Sequence, residues 1–126
     1  MTHTDAVELL KRLIATPSPS REESAAADLV EAEFARRGFA PRRNGNNVWA
    51  EAAERDPRKP TLLLDAHIDT VKPTSAWTRD PFVATEEDGR LYGLGSNDTG
   101  GSLVSLMAVF TRLAATEQPY NLICLA

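Results

Sequence analysis

Apolar residues recur at helical spacing from about residue 4 to residue 15, at Val7, Leu10, Leu13 and Ile14, which predicts an amphipathic helix with one buried stripe. Thr16-Pro17-Ser18-Pro19 ends it, because proline cannot continue a helix. Ser20-Arg21-Glu22-Glu23 then fits a capping box, in which the serine oxygen accepts from the N3 amide and the N3 glutamate reaches back. The face that follows, Ala26, Leu29, Val30 and Phe34, runs to Arg36-Arg37, where two cations suit a helix C-terminus and Gly38 suits the left-handed position beyond it. Leu103, Leu106, Met107, Phe110, Leu113 and Ala114 form a third and stronger stripe, which reads as core rather than as a cofactor box.

Elsewhere the pattern is that of strands. Residues 39–43 and 47–52 are predicted strands joined by Asn44-Gly45-Asn46, since Asn-Gly favours a tight turn with positive φ. A charged connection over 54–60 leads into the apolar run 62–66, which reads as a buried strand. After a loop over 72–81 come an alternating segment (82–87), the turn Asp88-Gly89 and a short strand through Tyr92. Residues 120–126 read as another buried strand, and domains seldom stop on a central strand, so the expectation is a truncated chain. Helices and apolar strands alternate without repeats. The expected fold is an incomplete α/β domain, three layers α/β/α around a mostly parallel central sheet.

Composition narrows the function classes. The 126 residues are 42% hydrophobic and 25% charged, with a net charge of −4, the profile of one ordinary domain. No Lys/Arg-rich face suggests a nucleic-acid or anionic-membrane partner, and no apolar run approaches the ~18 residues of a membrane span. The N-terminus lacks a basic segment followed by an apolar one, so the expected location is the cytoplasm. The single cysteine, Cys124, leaves no internal disulfide and reads as a small core residue.

The chemistry lies where the apolar run 62–66 ends, in His67-Ile68-Asp69. Side chains two apart on a strand share a face, and a neutral imidazole can ligate a divalent cation while a carboxylate orients it. Alone, the pair also fits a strand-end histidine beside a turn-forming aspartate. Asp98, in Gly93-Leu94-Gly95-Ser96-Asn97-Asp98, lies at a strand-to-helix junction, where a carboxylate could bridge two metal ions. It could equally cap the helix that follows. Gly93-x-Gly95-x-x-Asp98 lacks the third glycine of a dinucleotide fingerprint, and Gly-x-Ser-x-Gly is absent, so neither a nucleotide cofactor nor a serine nucleophile is expected.

Together His67-x-Asp69-x-Val71 and Gly93-x-Gly95-x-x-Asp98 resemble the signature of the zinc-dependent metallohydrolases that include acetylornithine deacetylase, succinyl-diaminopimelate desuccinylase and glutamate carboxypeptidase. Thr16-Pro17-Ser18 with Glu22-Glu23, Trp77 with Asp80-Pro81-Phe82, and residues 88–93 are similar to further landmarks of that family. The resemblance implies that His67 is a zinc ligand, that Asp69 is the catalytic aspartate orienting it, and that Asp98 bridges two zinc ions, with a cis peptide after Asp98. Cobalt or manganese would also tolerate such ligands.

What the resemblance implies for function is hydrolysis of the amide bond of a small N-acyl amino acid by a zinc-activated water. The segments 69–73, 93–101 and 120–123 look most like the acetylornithine or succinylornithine deacetylase branch, which would connect the chain to arginine biosynthesis. A carboxypeptidase or dipeptidase of the same family and a non-catalytic α/β binding module are the alternatives. Many family members have Asp-Met-Lys-Gly-Gly where this chain has Asp98-Thr99-Gly100-Gly101-Ser102, so the lysine is missing. Residues 1–126 would be the N-terminal part of a catalytic domain, without the Glu-Glu pair that supplies the general base. The later ligands, the lid domain and the C-terminal part of the catalytic domain are also absent. The piece alone is expected to be inactive and to bind zinc weakly, and the full-length protein to be a homodimer.

Overall fold

The computed structural model describes residues 1–126. Three helices and six strands follow in the order α1 (His3–Ile14), α2 (Ser24–Arg36), β1 (Arg42–Asn44), β2 (Asn47–Glu51), β3 (Thr61–Asp65), β4 (Thr85–Glu87), β5 (Arg90–Tyr92), α3 (Gly101–Leu113) and β6 (Asn121–Leu125). The helices fall where the apolar periodicity predicts them, and α2 ends before Gly38, which has φ 86°.

The helix starts differ from expectation. A capping box opens α1, where the Thr2 hydroxyl accepts from the Asp5 amide (3.1 Å) and the Thr2 amide donates to Asp5 Oδ2 (2.8 Å). The box read at Ser20 does not form. α2 begins at Ser24 without a side-chain cap, and Glu23 instead accepts from the Arg21 amide and, at 2.8 Å, from Asn46 Nδ2. The motif supplies the right residue types, but the turn closed by the Glu22 amide on the Pro19 oxygen holds Ser20 outside the helix, and its hydroxyl goes to Asp69 Oδ2.

The main sheet has the order β1-β2-β6-β3. β1 and β2 are antiparallel, β2 and β6 are antiparallel, and only β3 and β6 run parallel, so the sheet is mixed and not mostly parallel. The two-residue connection Gly45-Asn46 forces an antiparallel hairpin, whereas β3 reaches β6 through a long crossover that contains α3, as a parallel pair requires. β4 and β5 form a separate antiparallel hairpin. It is tied to α1 by Lys11 and Glu86 at 2.7 Å.

The helices cover one face of the sheet, so the chain has two layers where three were expected. Leu9, Leu10 and Ile14 of α1, Val30 and Phe34 of α2, and Leu103, Met107 and Phe110 of α3 share one core with Val48, Ala50, Leu122 and Cys124 of the sheet. Phe34 meets Phe110 edge-on at 5.8 Å between ring centroids. β6 is central, as read from its sequence. β3 is not the buried strand expected: it lies at the sheet edge, and Leu62 and Leu63 remain 39% and 50% exposed. The Cys124 thiol sits in the core, where burial pushes its pKa up to about 12.

Glu33, also buried, joins α1 to α2. It accepts from Arg36 Nη2 at 2.8 Å and Arg37 Nε at 2.7 Å, with Arg12 Nη1 at 3.8 Å. Burial pushes its carboxyl up, but the hydrogen bonds and charges of Arg36 and Arg37 outweigh this and hold it below the usual glutamate range.

Candidate metal centre

β3 ends at Asp65, and the chain leaves the sheet as an irregular segment carrying His67 and Asp69. Their proximity therefore comes from loop geometry and not from strand alternation. His67 Nδ1 lies 3.0 Å from Asp69 Oδ1 and 3.0 Å from the Asp69 main-chain oxygen. A carbonyl oxygen can only accept, so Nδ1 carries the ring proton, and in the neutral ring Nε2 presents a lone pair. Facing that lone pair is Asp98 Oδ1 at 3.1 Å.

Asp98 comes from a wide turn, Ser96–Gly100, inserted between β5 and α3. The turn closes through the Gly100 amide donating to the Gly95 oxygen at 2.8 Å. Gly95 makes it possible: its φ is 74°, and a Cβ there would lie 2.7 Å from Thr70 Cγ2, so a side chain would meet both strain and a clash. Asp98 keeps extended backbone angles (φ −120°, ψ 95°), and the residue preceding α3 is Gly100. Asp98 is therefore not the helix cap; its side chain is 83% exposed and turned to His67. The Asp98–Thr99 peptide is cis. Thr99 Oγ1 donates to the His67 main-chain oxygen at 2.7 Å, joining the two segments.

Two acceptors facing each other across 3.1 Å need a cation between them or a second proton on the ring. Two donors on a tetrahedral zinc ion with bonds near 2.0–2.1 Å lie roughly 3.3 Å apart, so His67 Nε2 and Asp98 Oδ1 fit such an ion after a shift of a few tenths of an ångström. They do not complete a site. No group of three or more His, Cys, Asp or Glu side chains is arranged to hold a metal, because Asp69 is committed to the far side of the ring. The surrounding cleft, lined by His67, Asp69, Val71, Leu94, Gly95 and Asp98, has a volume of about 150 Å³. Sites that enclose whole small molecules run to roughly 300–1,000 Å³. The cleft formed by these residues is of a size for an ion and the group beside it.

Sequence reasoning missed the contributions of Ser18, Ser20 and Thr99. Ser18 Oγ donates to the Ile68 oxygen at 3.0 Å, and the Ser18 oxygen accepts from the Thr70 amide at 2.8 Å. Ser20 Oγ donates to Asp69 Oδ2. The available signal was a Pro-Ser-Pro-Ser run between two helices, which leaves hydroxyls with no helix to cap.

Residues 63–126 match the description Peptidase family M20/M25/M40. The chain is 32% identical to a succinyl-diaminopimelate desuccinylase of Verminephrobacter eiseniae, over 92% of this chain and 34% of that protein. A desuccinylase of the same name from Bordetella avium is 31% identical over 91% of this chain and 31% of its own length. Among solved structures, human carnosine dipeptidase 1 superposes with a TM-score of 0.74 at 26% identity, covering 97% of this chain and 31% of that one. An M20 family metallo-carboxypeptidase from Sulfolobus solfataricus gives 0.76 at 26% identity, covering 99% and 30%. The chain thus spans about a third of the length of the relatives it matches.

Proposed function

The chain belongs to peptidase family M20/M25/M40, and from that premise we propose that it supplies part of the metal centre of a hydrolase cleaving the amide bond of a small N-acyl amino acid. The observation that carries this reading is the lone-pair face of His67 set 3.1 Å from the Asp98 carboxylate. In it, His67 Nε2 and Asp98 Oδ1 would hold the ion. Asp69 accepts at Nδ1 and so sets the tautomer whose lone pair faces Asp98. A zinc ion held there would supply Lewis acidity toward a carbonyl and a water. The exposure of Asp98 leaves its second oxygen free for another cation, in keeping with a bridging role. The proton acceptor, the remaining ligands and most of the substrate surface belong to further residues of a longer protein, which we propose is a homodimer with a lid domain.

The acyl group is the finer question. The motifs 69–73 and 93–101 favour an acetylornithine deacetylase, while the relatives above are named for succinyl-diaminopimelate; the two solved neighbours are a dipeptidase and a carboxypeptidase. All four are hydrolases of amide bonds in small substrates. Hydrolysis of N-acetylornithine, N-succinyl-diaminopimelate and a dipeptide by the complete protein separates them. Turnover of one substrate is expected to require zinc, to vanish on chelation and to vanish in His67→Ala, with none from the 126 residues alone. Undiminished activity in His67→Ala would sink the proposal, and no turnover of any of the three substrates by the complete protein would leave a binding module.

A further inference from the structure

The turn between α1 and α2 grips the site segment residue by residue. Ser18, buried, holds the Ile68 oxygen through its hydroxyl and the Thr70 amide through its carbonyl. Pro19 and Thr70 make an isolated parallel bridge. Ser20 then places its hydroxyl on Asp69 Oδ2, the carboxylate oxygen that His67 does not use. The turn has its own anchor: the Glu22 amide donates to the Pro19 oxygen at 2.8 Å, and Glu23 holds the Arg21 amide with one oxygen and Asn46 with the other.

We propose that Ser20 is a positioning residue of the metal centre, acting through Asp69 on His67. An aspartate with one oxygen engaged can rotate about its side-chain torsions and release its partner. Ser20 holds Oδ2 while the His67 ring lies 3.0 Å from Oδ1, so the carboxylate is kept against the ring, whose Nδ1 hydrogen bond goes to the Asp69 main-chain oxygen. Carboxylate and carbonyl together set the tilt of the imidazole and hence the direction of Nε2 toward Asp98. Because the hydroxyl, and not bulk, carries the effect, threonine can replace serine and alanine cannot. The proposal rests on the reading of His67 and Asp98 as ligands.

Zinc titrations of the complete protein, followed by the 15N resonances of the His67 ring, test it in the wild type and in Ser20→Ala, Ser20→Thr and His67→Ala, the last followed by zinc competition. Partners one step removed from a ligand typically contribute 10–100-fold in metal affinity. Ser20→Ala is therefore expected to weaken zinc binding about tenfold, and Ser20→Thr to restore it. In the metal-free chain, Ser20→Ala should also move the ring nitrogens away from the pure Nδ1–H signature. Unchanged affinity and unchanged ring shifts in Ser20→Ala, while His67→Ala loses zinc, would overturn the role of Ser20 alone. Equal weakening in Ser20→Thr would also overturn it, assigning the effect to packing. If His67→Ala binds zinc like the wild type, the ligand reading falls and the proposal with it.

Discussion

The two faces of the four-stranded sheet carry similar residue types and have different fates. Toward the helices stand Val48, Ala50, Leu122 and Cys124, all buried. Away from them Trp49, Leu63, Ile123 and Leu125 line an open groove of about 370 Å³. A Leu-Leu-Leu run in β3 and Leu-Ile-Cys-Leu in β6 place apolar side chains on both faces alternately. Such runs record what a strand tolerates on each side; what packs there decides its burial. The active-site candidates belong to neither face. They lie beyond the end of β3, where backbone freed from the ladder can bend a histidine and an aspartate together.

Truncation on the covered face is expected to have the largest effect. Leu122→Ala should lower the unfolding free energy by about 3 kcal/mol, the sum of lost transfer energy and an unfilled cavity. Urea denaturation of the chain measures it. A loss below ~1 kcal/mol would mean that the helices do not hold this face closed.

The same contrast explains what was legible in the sequence. Helix positions were, because Leu103, Met107 and Phe110 leave little doubt about which side of α3 is inside. The β1–β2 hairpin was, through Asn44-Gly45. Strand direction was not: an apolar run says nothing of whether its neighbour is parallel, and here only β3 and β6 are. Burial of β3 was misread for the reason given above. In the site, His67, Asp69 and Asp98 were legible as a set, and the structure brings a carboxylate oxygen of each aspartate within 3.1 Å of the His67 ring, on opposite sides. Ser20 was legible only as a cap, because a Ser-x-x-Glu pattern looks alike whether its hydroxyl meets an amide or a carboxylate 49 positions away.

The Glu33 cluster joins two helices of the covered side through a buried charge and sharpens the comparison, since the bare face carries only the more exposed pair Arg42–Glu51 at 3.3 Å. Glu33→Gln keeps the shape and removes the charge that Arg37 is packed against. The expected loss is about 2–3 kcal/mol at neutral pH, less than for a fully enclosed pair because Arg36 stays largely exposed. Glu33 is held below its unfolded value, so its contribution is complete above the unfolded pKa of about 4.3 and is lost as pH falls through the lower folded value. The difference between wild type and Glu33→Gln should thus be constant from pH 7 to pH 5 and shrink steadily as pH falls below the unfolded value. A difference that does not shrink in acid would assign the effect to packing rather than to ionisation.

The smallest effect is expected on the bare face. Leu63 is half exposed and its neighbours there, Ile123 and Leu125, make an open groove and not a packed layer. Leu63→Lys can lay its methylenes along the same groove and keep its ammonium in water. The unfolding free energy should therefore change by less than about 1 kcal/mol, against about 3 kcal/mol for the shorter side chain in Leu122→Ala. Solubility should rise, because the substitution breaks a contiguous apolar surface. Circular dichroism melts and concentration-dependent light scattering of the chain report the two quantities. A loss as large as that of Leu122→Ala would show that both faces are closed in solution, and the contrast between them would disappear.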